Sequence, residues 1–400
     1  TVDTATGKVT VATAAETQTH FLQVQPSVRT PVRAAAIGGT GVSGTPPPGD
    51  KPFMEVALVL DVTTSMGYNN KMQGMKDAAI SLIETVMERN PEAHIALVPF
   101  SSIIRLEGNP QYEGWLHPDL LRRWYDTQPI LSPEKGRISW PGCVINNRPP
   151  HDALDTSWRQ VPLIPSNDSL AKVESRLGLS PIIYAGRNPL LHYIQERGET
   201  KGTGSGTNYH STSSCGWGMP RTMALTQDKK DLVGRISRFN DTGYGKAEWG
   251  TAGTIGQFGM LWGWRMLSPK WKNEWFEAPA GYPKAYEESR KSIVFLTDGL
   301  GEMPGLPESA GGTGYGAYGY SIFTNGNSAR AYDWASYGFT ARTYEEADLE
   351  LDGRLKQVCA AIKQTPVSIY TIGFDVEGLK NGTARARDVL QYCATRKDSF

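Results

Sequence analysis

The sequence has no excess of charge of either sign. Its 400 residues include 41 Lys and Arg and 41 Asp and Glu, so the formal net charge at neutral pH is zero. Binding to a nucleic-acid backbone depends on clustered positive charge. We therefore expect a protein without a nucleic-acid partner.

The chain also lacks any apolar run long enough to span a bilayer and any signal peptide. It begins at Thr1 rather than at Met. These features predict a processed or truncated piece of an exported protein, which would meet a membrane only through an upstream anchor that this chain does not contain.

Cysteine is scarce, since only Cys143, Cys215, Cys359 and Cys393 are present. No two of them form a C-x-x-C pair, so a zinc site is disfavoured. An even number of well-separated cysteines in a chain rich in Trp, Gly and Pro suggests disulfides formed in an oxidising compartment. We prefer the pairs Cys143–Cys215 and Cys359–Cys393, because each lies within one module, and buried free thiols are the alternative.

Common catalytic motifs are missing as well. There is no nucleophile elbow, zinc-protease helix or phosphate-binding loop, and the six histidines include no i, i+4 pair. Asp61 and Asp298 could serve as paired carboxylates for hydrolysis, but no base or nucleophile accompanies them. We therefore predict that the protein is not an enzyme.

The most informative stretch that is present is Val56–Met66. It opens with five apolar residues, the pattern of a strand buried on both faces of a parallel sheet. It ends at Asp61, Thr63 and Ser65, alternate residues in the turn that leaves the strand. Ligands of open α/β sheets bind at this carboxyl end of the strands.

The three oxygen-bearing side chains favour a hard cation, Mg²⁺ or alternatively Ca²⁺ or Mn²⁺. Hydroxyl groups add no formal charge, so a metal ion held largely by Thr and Ser stays electron-poor. Such an ion retains affinity for an anionic group supplied from outside.

Two further motifs complete the pattern. A second apolar run, Ser292–Leu296, leads into Thr297-Asp298-Gly299. Between the two runs lies Ala252–Gly256, which contains Thr254 and precedes a stretch, Phe258–Leu267, predicted to be an amphipathic helix.

Together these motifs resemble the von Willebrand factor A-type domain and its metal-ion-dependent adhesion site, whose first motif is D-x-S-x-S. Thr63 stands where that family usually has Ser, a mild departure. The resemblance implies that Asp61, Thr63, Ser65 and Asp298 bind the metal. It also implies a metal-binding Thr before the helix, for which Thr254 fits best and Thr251 is the alternative.

Looser phrases resemble the TadG-like proteins of bacterial Tad (Flp) pilus systems. They are VPFSS from Val98, WPGCV from Trp140 and WGWRMLSP from Trp262, together with a β-rich segment before the A-type domain. The fold class implied is α/β, a doubly wound and mostly parallel sheet flanked by helices.

The chain divides into seven segments. We predict a β-rich N-terminal segment with strands at Val9–Ala14 and Phe21–Val24, a Gly/Pro linker, three parts of one A-type domain, a Trp/Pro-rich insertion and a Gly/Tyr-rich insertion. In chain order these cover residues 1–36 (β-rich), 37–51 (linker), 52–102 (first part), 103–250 (Trp/Pro-rich), 251–300 (second part), 301–345 (Gly/Tyr-rich) and 346–400 (last part).

Within these segments the hydrophobic patterns predict further elements. The helices are Lys71–Met87, Asp228–Phe239, Asp348–Gln364 and Ala384–Cys393, and the additional strands are His94–Phe100 and Val367–Ile372. The family normally adds a further strand and helix after this point.

The aromatic residues of the insertions admit two interpretations. In the first insertion we expect most tryptophans, including Trp115, Trp140 and Trp158, to form a small satellite core. In the second, tyrosines on Gly-rich loops have the composition of a binding surface, with a loosely packed loop as the alternative. The candidate ligand-contact residues are Tyr315, Tyr318, Tyr320 and Trp334.

The sequence thus favours an extracellular, cell-surface or pilus protein. We predict a metal-dependent adhesin or tip component of a Tad-type pilus, with other pilus subunits and a protein or cell-surface ligand offering a carboxylate as partners. The alternative is a structural or assembly subunit of a surface fibre, in which the metal only stabilises the fold.

Overall fold

A computed structural model describes most of the segments predicted to form an A-type domain and parts of the predicted insertions. The described residues are 2–3, 8–16, 29–37, 53–119, 121–122, 140, 142–165, 219–239, 253–299, 301–303, 313–324, 328–331, 337–341, 343–374 and 383–400, the first three ranges for the backbone only. Several sequence predictions lie outside them, namely the strand Phe21–Val24, nearly all of the linker, Thr251, Cys215 and Trp334.

The described residues form the following strands and α-helices. The strands are β1 (Val2–Asp3), β2 (Lys8–Glu16), β3 (Arg29–Ile37), β4 (Phe53–Asp61), β5 (His94–Phe100), β6 (Ile104–Arg105), β7 (Cys143–Ile145), β8 (Ile164–Pro165), β9 (Met223–Thr226), β10 (Ser289–Thr297), β11 (Thr313–Gly316), β12 (Gly319–Thr324), β13 (Ser328–Ala331) and β14 (Val367–Gly373). The α-helices are α1 (Lys71–Arg89), α2 (Lys229–Ser237), α3 (Gly256–Leu267), α4 (Tyr344–Ile362) and α5 (Thr383–Cys393).

The centre of the molecule is a five-stranded sheet in the order β14-β10-β4-β5-β9. Its first four strands run parallel, and only the edge strand β9 is antiparallel. The two apolar runs singled out in the sequence are therefore neighbours, with Leu60 opposite Leu296. The predicted mixed α/β architecture with a mostly parallel sheet flanked by helices is confirmed.

Each face of this sheet has its own hydrophobic core. Successive side chains of a strand point to opposite faces, so Val56, Leu58 and Leu60 pack towards α1 and α2. Ala57 and Val59 pack towards α3, α4 and α5 on the other face. The continuous apolar run of β4 is explained by this burial on both sides.

Helix α3 packs unusually close to the sheet. A Cβ atom at Gly263 would lie 2.5 Å from Val59 Cγ2, and one at Gly259 would lie 2.6 Å from Phe100 Cγ. These glycines, one helical turn apart, let the helix backbone approach β4 and β5. The helix is buried all round rather than amphipathic, so that part of the sequence prediction is wrong: the first insertion covers its outer face.

The segment predicted as the first insertion does not lie entirely outside the central sheet. Residues 223–226 form β9, which pairs with β5 and belongs to the central sheet, and α2 packs beside α1. The segment predicted as an insertion over residues 103–250 therefore includes one strand of the central sheet and one helix that flanks it. A short apolar segment such as β9 carries too little periodicity to be separated from an insertion by sequence alone.

The remaining described part of that insertion forms a small sheet, in the order β6-β7-β8, and an aromatic cluster. Trp115 stacks against Trp158 and makes edge contacts with Trp271 and Trp275. Trp115 is 1% exposed and Trp140 is 8% exposed. Both tryptophans are buried as predicted, but they belong to the same hydrophobic core as Ala57 and Val59 of the central sheet. The prediction of a separate satellite core is therefore wrong for these two residues.

The second insertion contains a three-stranded antiparallel sheet, in the order β11-β12-β13. Ala317 and Tyr318, in the turn between β11 and β12, are buried in the main core. The described part is thus anchored to the domain rather than loosely packed.

The N- and C-terminal regions agree with the sequence patterns. Strands β1 to β3 form a separate antiparallel sheet. The predicted disulfide Cys359–Cys393 is confirmed and joins α4 to α5. Cys143 is also disulfide-bonded, and its predicted partner lies outside the described residues. No helix in the described portion is both long and apolar enough to cross a membrane.

Candidate metal site at the carboxyl edge of the sheet

Two acidic side chains meet where β4 and β10 end. Asp61 is the last residue of β4 and is fully buried, while Asp298 directly follows β10 and is 7% exposed. Because the strands are parallel neighbours in register, their carboxyl ends fall at one edge of the sheet. The structure thus brings together two residues that are 237 positions apart in the sequence.

The first motif is a compact turn organised around the Asp61 carboxylate. Asp61 Oδ1 accepts hydrogen bonds from the Thr63 backbone N–H at 2.9 Å and from Thr63 Oγ1 at 2.6 Å. Thr63 Oγ1 lies 3.0 Å from Ser65 Oγ. A 3₁₀ turn over Thr64–Gly67 holds this curvature, so the alternate spacing places the three oxygen-bearing side chains on one concave surface.

The second motif, Thr297-Asp298-Gly299, is hydrogen-bonded to the first. Thr297 Oγ1 donates to Asp61 Oδ2 at 2.7 Å, and Ser65 Oγ donates to Asp298 Oδ1 at 3.0 Å. Gly299 follows with φ +138°, in a region that favours glycine. Its N–H donates to Thr297 Oγ1 at 3.2 Å, so the glycine lets the backbone turn sharply just after the acid.

Thr254 lies just before α3 at the same edge. Its backbone pairs with Glu302, which follows Asp298 closely in the chain, through two hydrogen bonds of 2.8 Å. The next residue, Ile255, donates to Ser101 O just beyond β5. Thr254 is 6% exposed, and these backbone hydrogen bonds place it beside the segments that follow β5 and β10.

A lysine that the sequence analysis missed also reaches this site. Lys71, the first residue of α1, donates from Nζ to Asp298 Oδ2 at 2.6 Å. Thr297 was likewise overlooked as a partner of Asp61. The T-D-G motif itself pointed to Thr297, whereas no sequence signal pairs a helical lysine with an acid 227 positions away.

The electrostatics show that the two acids repel one another. Burial, and secondarily the charge of Asp298, raises the pKa of Asp61 from 3.8 to about 7, against the lowering effect of hydrogen bonds from Thr63 and Thr297. A buried acid with a shifted pKa beside a second acid is a feature of functional sites. A divalent cation would remove this repulsion.

The donor set fits a hard cation. Two carboxylates and three hydroxyl groups, from Asp61, Asp298, Thr63, Ser65 and Thr254, are the oxygen ligands that Mg²⁺, Ca²⁺ and Mn²⁺ prefer. Within the described residues there is no group of three or more His, Cys, Asp or Glu side chains suited to a metal. A cation here would therefore depend on the hydroxyl groups for much of its coordination.

The surface next to the site carries an exposed aromatic residue. Tyr68 is 64% exposed and lies between Ser65 and Lys71, and its N–H donates to Ser65 O at 3.3 Å. Sequence analysis placed the ligand-contacting aromatics in the second insertion instead.

That prediction needs correction for Tyr318. It is 1% exposed, donates to Gln257 Oε1 at 2.6 Å and packs edge-on against Tyr337 and Phe339, so it is a core residue. Tyr315 and Tyr320 face one another in β11 and β12 through their backbones. Trp334 lies outside the described residues.

No protein-family model and no curated protein sequence matches the chain. Among solved structures, the pilus adhesin SpaC from Lactobacillus rhamnosus GG aligns at 12% identity with a TM-score of 0.36, over 88% of this chain and 27% of SpaC. The vWF domain of the type V pili tip protein Mfa5 from Porphyromonas gingivalis aligns at 11% identity and a TM-score of 0.36, over 87% of this chain and 88% of that domain.

The adhesive tip pilin GBS104 from Group B Streptococcus agalactiae aligns at 12% identity and a TM-score of 0.37, over 87% of this chain and 95% of that structure. This chain thus spans about a quarter of SpaC but nearly all of the GBS104 structure. At such low TM-scores the similarity by itself assigns no function to this chain.

Proposed function

We propose that this chain is a cell-surface binding protein of the adhesin type, whose binding site is built around a divalent cation. Asp61, Thr63, Ser65, Thr254 and Asp298 would hold the ion, with Mg²⁺ the first candidate and Ca²⁺ or Mn²⁺ the alternatives. The observation that carries the proposal is the convergence of two acids and their hydroxyl partners at the carboxyl edge of a parallel sheet.

When bound, the cation supplies a positive centre that attracts an anionic oxygen from outside. The protein's own residues position it: Thr297 and the Thr63 N–H orient Asp61, and Ser65 orients Asp298. The residues that would hold the ion contribute only two formal negative charges. A carboxylate of the target would then complete the shell, so we infer an acidic protein or cell-surface ligand as the partner.

On this proposal the protein acts outside the cell, on a surface fibre such as a Tad-type pilus, and not as an enzyme. Its other partners would be pilus subunits. The solved structures with which it aligns are pilus adhesins and tip proteins, and the role proposed here is of the same kind.

The first test uses surfaces coated with polyglutamate or with uncharged polyglutamine. We expect the chain to bind polyglutamate in Mg²⁺, to release it in EDTA, and to lose this binding on Asp61→Ala. Asp77→Ala is the matched control, because Asp77 is an exposed acid on α1 that accepts only from Gln73 within the described contacts. Equal binding by wild type and Asp61→Ala would refute the metal-dependent site.

One observation favours a second candidate function. Every carboxylate oxygen of Asp61 and Asp298 already accepts a hydrogen bond within the chain. The site could thus be a stabilising network in a structural or assembly subunit of the fibre. Fibre counts separate the candidates: normal fibres with Asp61→Ala but none on deletion of the gene favour the adhesin, and loss of fibres in both favours the structural subunit.

A further inference from the structure

Lys71 occupies the position where a helix least favours a positive charge. It is the first residue of a 19-residue helix whose first turn contains no acidic residue. The N-terminus of a helix carries a partial positive charge and repels a cation. The placement of Lys71 is therefore unfavourable for α1, and its contact with Asp298 must account for it.

The contact between Lys71 and Asp298 is short, and both side chains are largely shielded from solvent. Lys71 Nζ lies 2.6 Å from Asp298 Oδ2, and the two side chains are 13% and 8% exposed. The other oxygen of Asp298 accepts from Ser65. Among the described salt bridges, that of Lys71 is the one that reaches either acid of the site.

The side chains of the site balance their charges only in part. Two buried acids face one ammonium group, and Asp61 receives its hydrogen bonds from neutral groups only. A divalent ion that binds Asp298 would meet the ammonium group of Lys71 on the same carboxylate. Like charges on adjacent atoms of one carboxylate repel strongly in a shielded site.

We propose that Lys71 is a built-in competitor of the metal ion: its ammonium group neutralises Asp298 in the metal-free protein and must withdraw when a divalent cation binds. This inference rests on the metal site of the proposed function, and not on binding of the target. Lysine suits the role because its charge sits on a long flexible stem that can swing into solvent, and the neighbouring residues Tyr68, Asn69 and Asn70 are exposed.

The competition has two measurable consequences. The lysine lowers the affinity of the site for the metal, because part of the binding free energy is used to displace it. It also stabilises the metal-free fold, because without it two buried acids face one another unbalanced. Removing the ammonium group should shift these two properties in opposite directions.

The experiment is a calorimetric titration of the full chain with MgCl₂ and with MnCl₂. We expect Lys71→Met to bind each ion at least about tenfold more tightly than wild type, and Lys71→Arg, which keeps the charge, to bind like wild type. Lys76→Met is the matched control, since Lys76 lies on the same helix and donates at 3.2 Å to the Ser237 carbonyl rather than to an acid.

Thermal unfolding gives a readout that does not need ligand binding. In EDTA we expect Lys71→Met to melt below wild type and below Lys76→Met. On addition of Mg²⁺ it should gain more in melting temperature than wild type, because stabilisation by a ligand grows with its affinity.

The outcomes distinguish this inference from the proposed function. If wild type binds Mg²⁺ and Lys71→Met binds it equally or more weakly, the competitor role is overturned and the metal site stands. If only Lys71→Met binds, the inference holds in its strongest form, and metal-dependent function of the wild-type chain is refuted. If none of the proteins binds either ion, both are refuted.

Discussion

The two ends of the neighbouring strands β4 and β10 differ in how their buried charges are balanced. At the amino end, Glu55 lies opposite Lys291, and the two form an ion pair with side chains 0% and 1% exposed. Glu55 Oε1 also accepts the Lys284 N–H at 2.8 Å. At the carboxyl end, Lys71 contacts only Asp298 of the two acids, and Asp61 accepts hydrogen bonds from neutral groups alone.

The difference separates a structural cluster from a candidate functional one. Burial raises the pKa of Glu55 and lowers the pKa of Lys291, and the charge of the partner opposes each shift. The charges of the one acid and the one base thus neutralise each other. At the other end the second acid adds to the burial of Asp61 instead of opposing it. Perturbed pKa values of this kind cluster at functional sites.

The largest effect is expected at the balanced end. Lys291→Met leaves the fully buried Glu55 without its counter-charge, so we expect the free energy of unfolding to fall by about 3–5 kcal/mol. Urea denaturation at neutral pH measures this loss. Adding Glu55→Gln to Lys291→Met should restore most of it, since the amide oxygen still accepts from Lys284. A loss well below this range would mean that the Glu55–Lys291 ion pair does not stabilise the fold as proposed.

A smaller effect is expected from α3, the helix that follows Thr254. In Gly263→Ala the new methyl group would lie 2.5 Å from Val59 Cγ2, and overpacking of this kind costs about 1–3 kcal/mol. Gly353→Ala in α4 is the control, because no atom lies within 4 Å of the added Cβ. There we expect a gain of about 0.5–1 kcal/mol from helix propensity. Equal effects of the two changes in urea denaturation would contradict the close packing of α3.

Asp348 on α4 is another buried acid with a raised pKa. Burial, with the charges of Glu302 and Asp352 adding to it, raises the pKa of Asp348 from 3.8 to about 7, although Oδ1 accepts the Met303 N–H and the charge of Arg385 opposes the shift. A carboxyl group whose pKa is raised in the folded state stabilises the fold at low pH. That contribution is lost as the pH rises from about 4 through about 7.

Asp348→Asn removes this titration and keeps the acceptor oxygen. We expect the variant to melt a few °C above wild type at pH 8, on the order of what 1–2 kcal/mol would produce, and to match wild type near pH 4. Differential scanning fluorimetry across this range tests the shift, with the exposed Asp77→Asn as a variant that should leave the profile unchanged. A stability profile for Asp348→Asn parallel to that of wild type would contradict a raised pKa of Asp348 in the folded state.

The smallest effect on stability is expected at Asp61 itself. Asp61→Asn keeps an acceptor oxygen for Thr63 and removes one of two repelling charges. In EDTA we therefore expect its free energy of unfolding to stay within about 1 kcal/mol of wild type, the scale of one hydrogen bond. Chemical denaturation in EDTA measures this free energy. A loss as large as that of Lys291→Met would contradict the difference between the amino and carboxyl ends of β4 and β10.

Local patterns predicted many of the elements well. The strand predicted at His94–Phe100 has those same bounds in the structure, and helices predicted to start at Lys71 and Ala384 begin at Lys71 and Thr383. These elements are set by burial of one or both faces, which the spacing of apolar residues records. Helix α3 was misread because its second apolar face is covered by an insertion, which no local pattern reveals.

The sequence by itself determined the four parallel strands of the central sheet and the two acids with their hydroxyl neighbours, and it favoured the disulfide between α4 and α5. Each depends on a short run of residues. Only the tertiary structure decided that Lys71 reaches Asp298, that Tyr318 is buried, and that β9 closes the sheet. These are contacts between distant segments, and their free energies depend on packing and burial that arise only when the chain has folded.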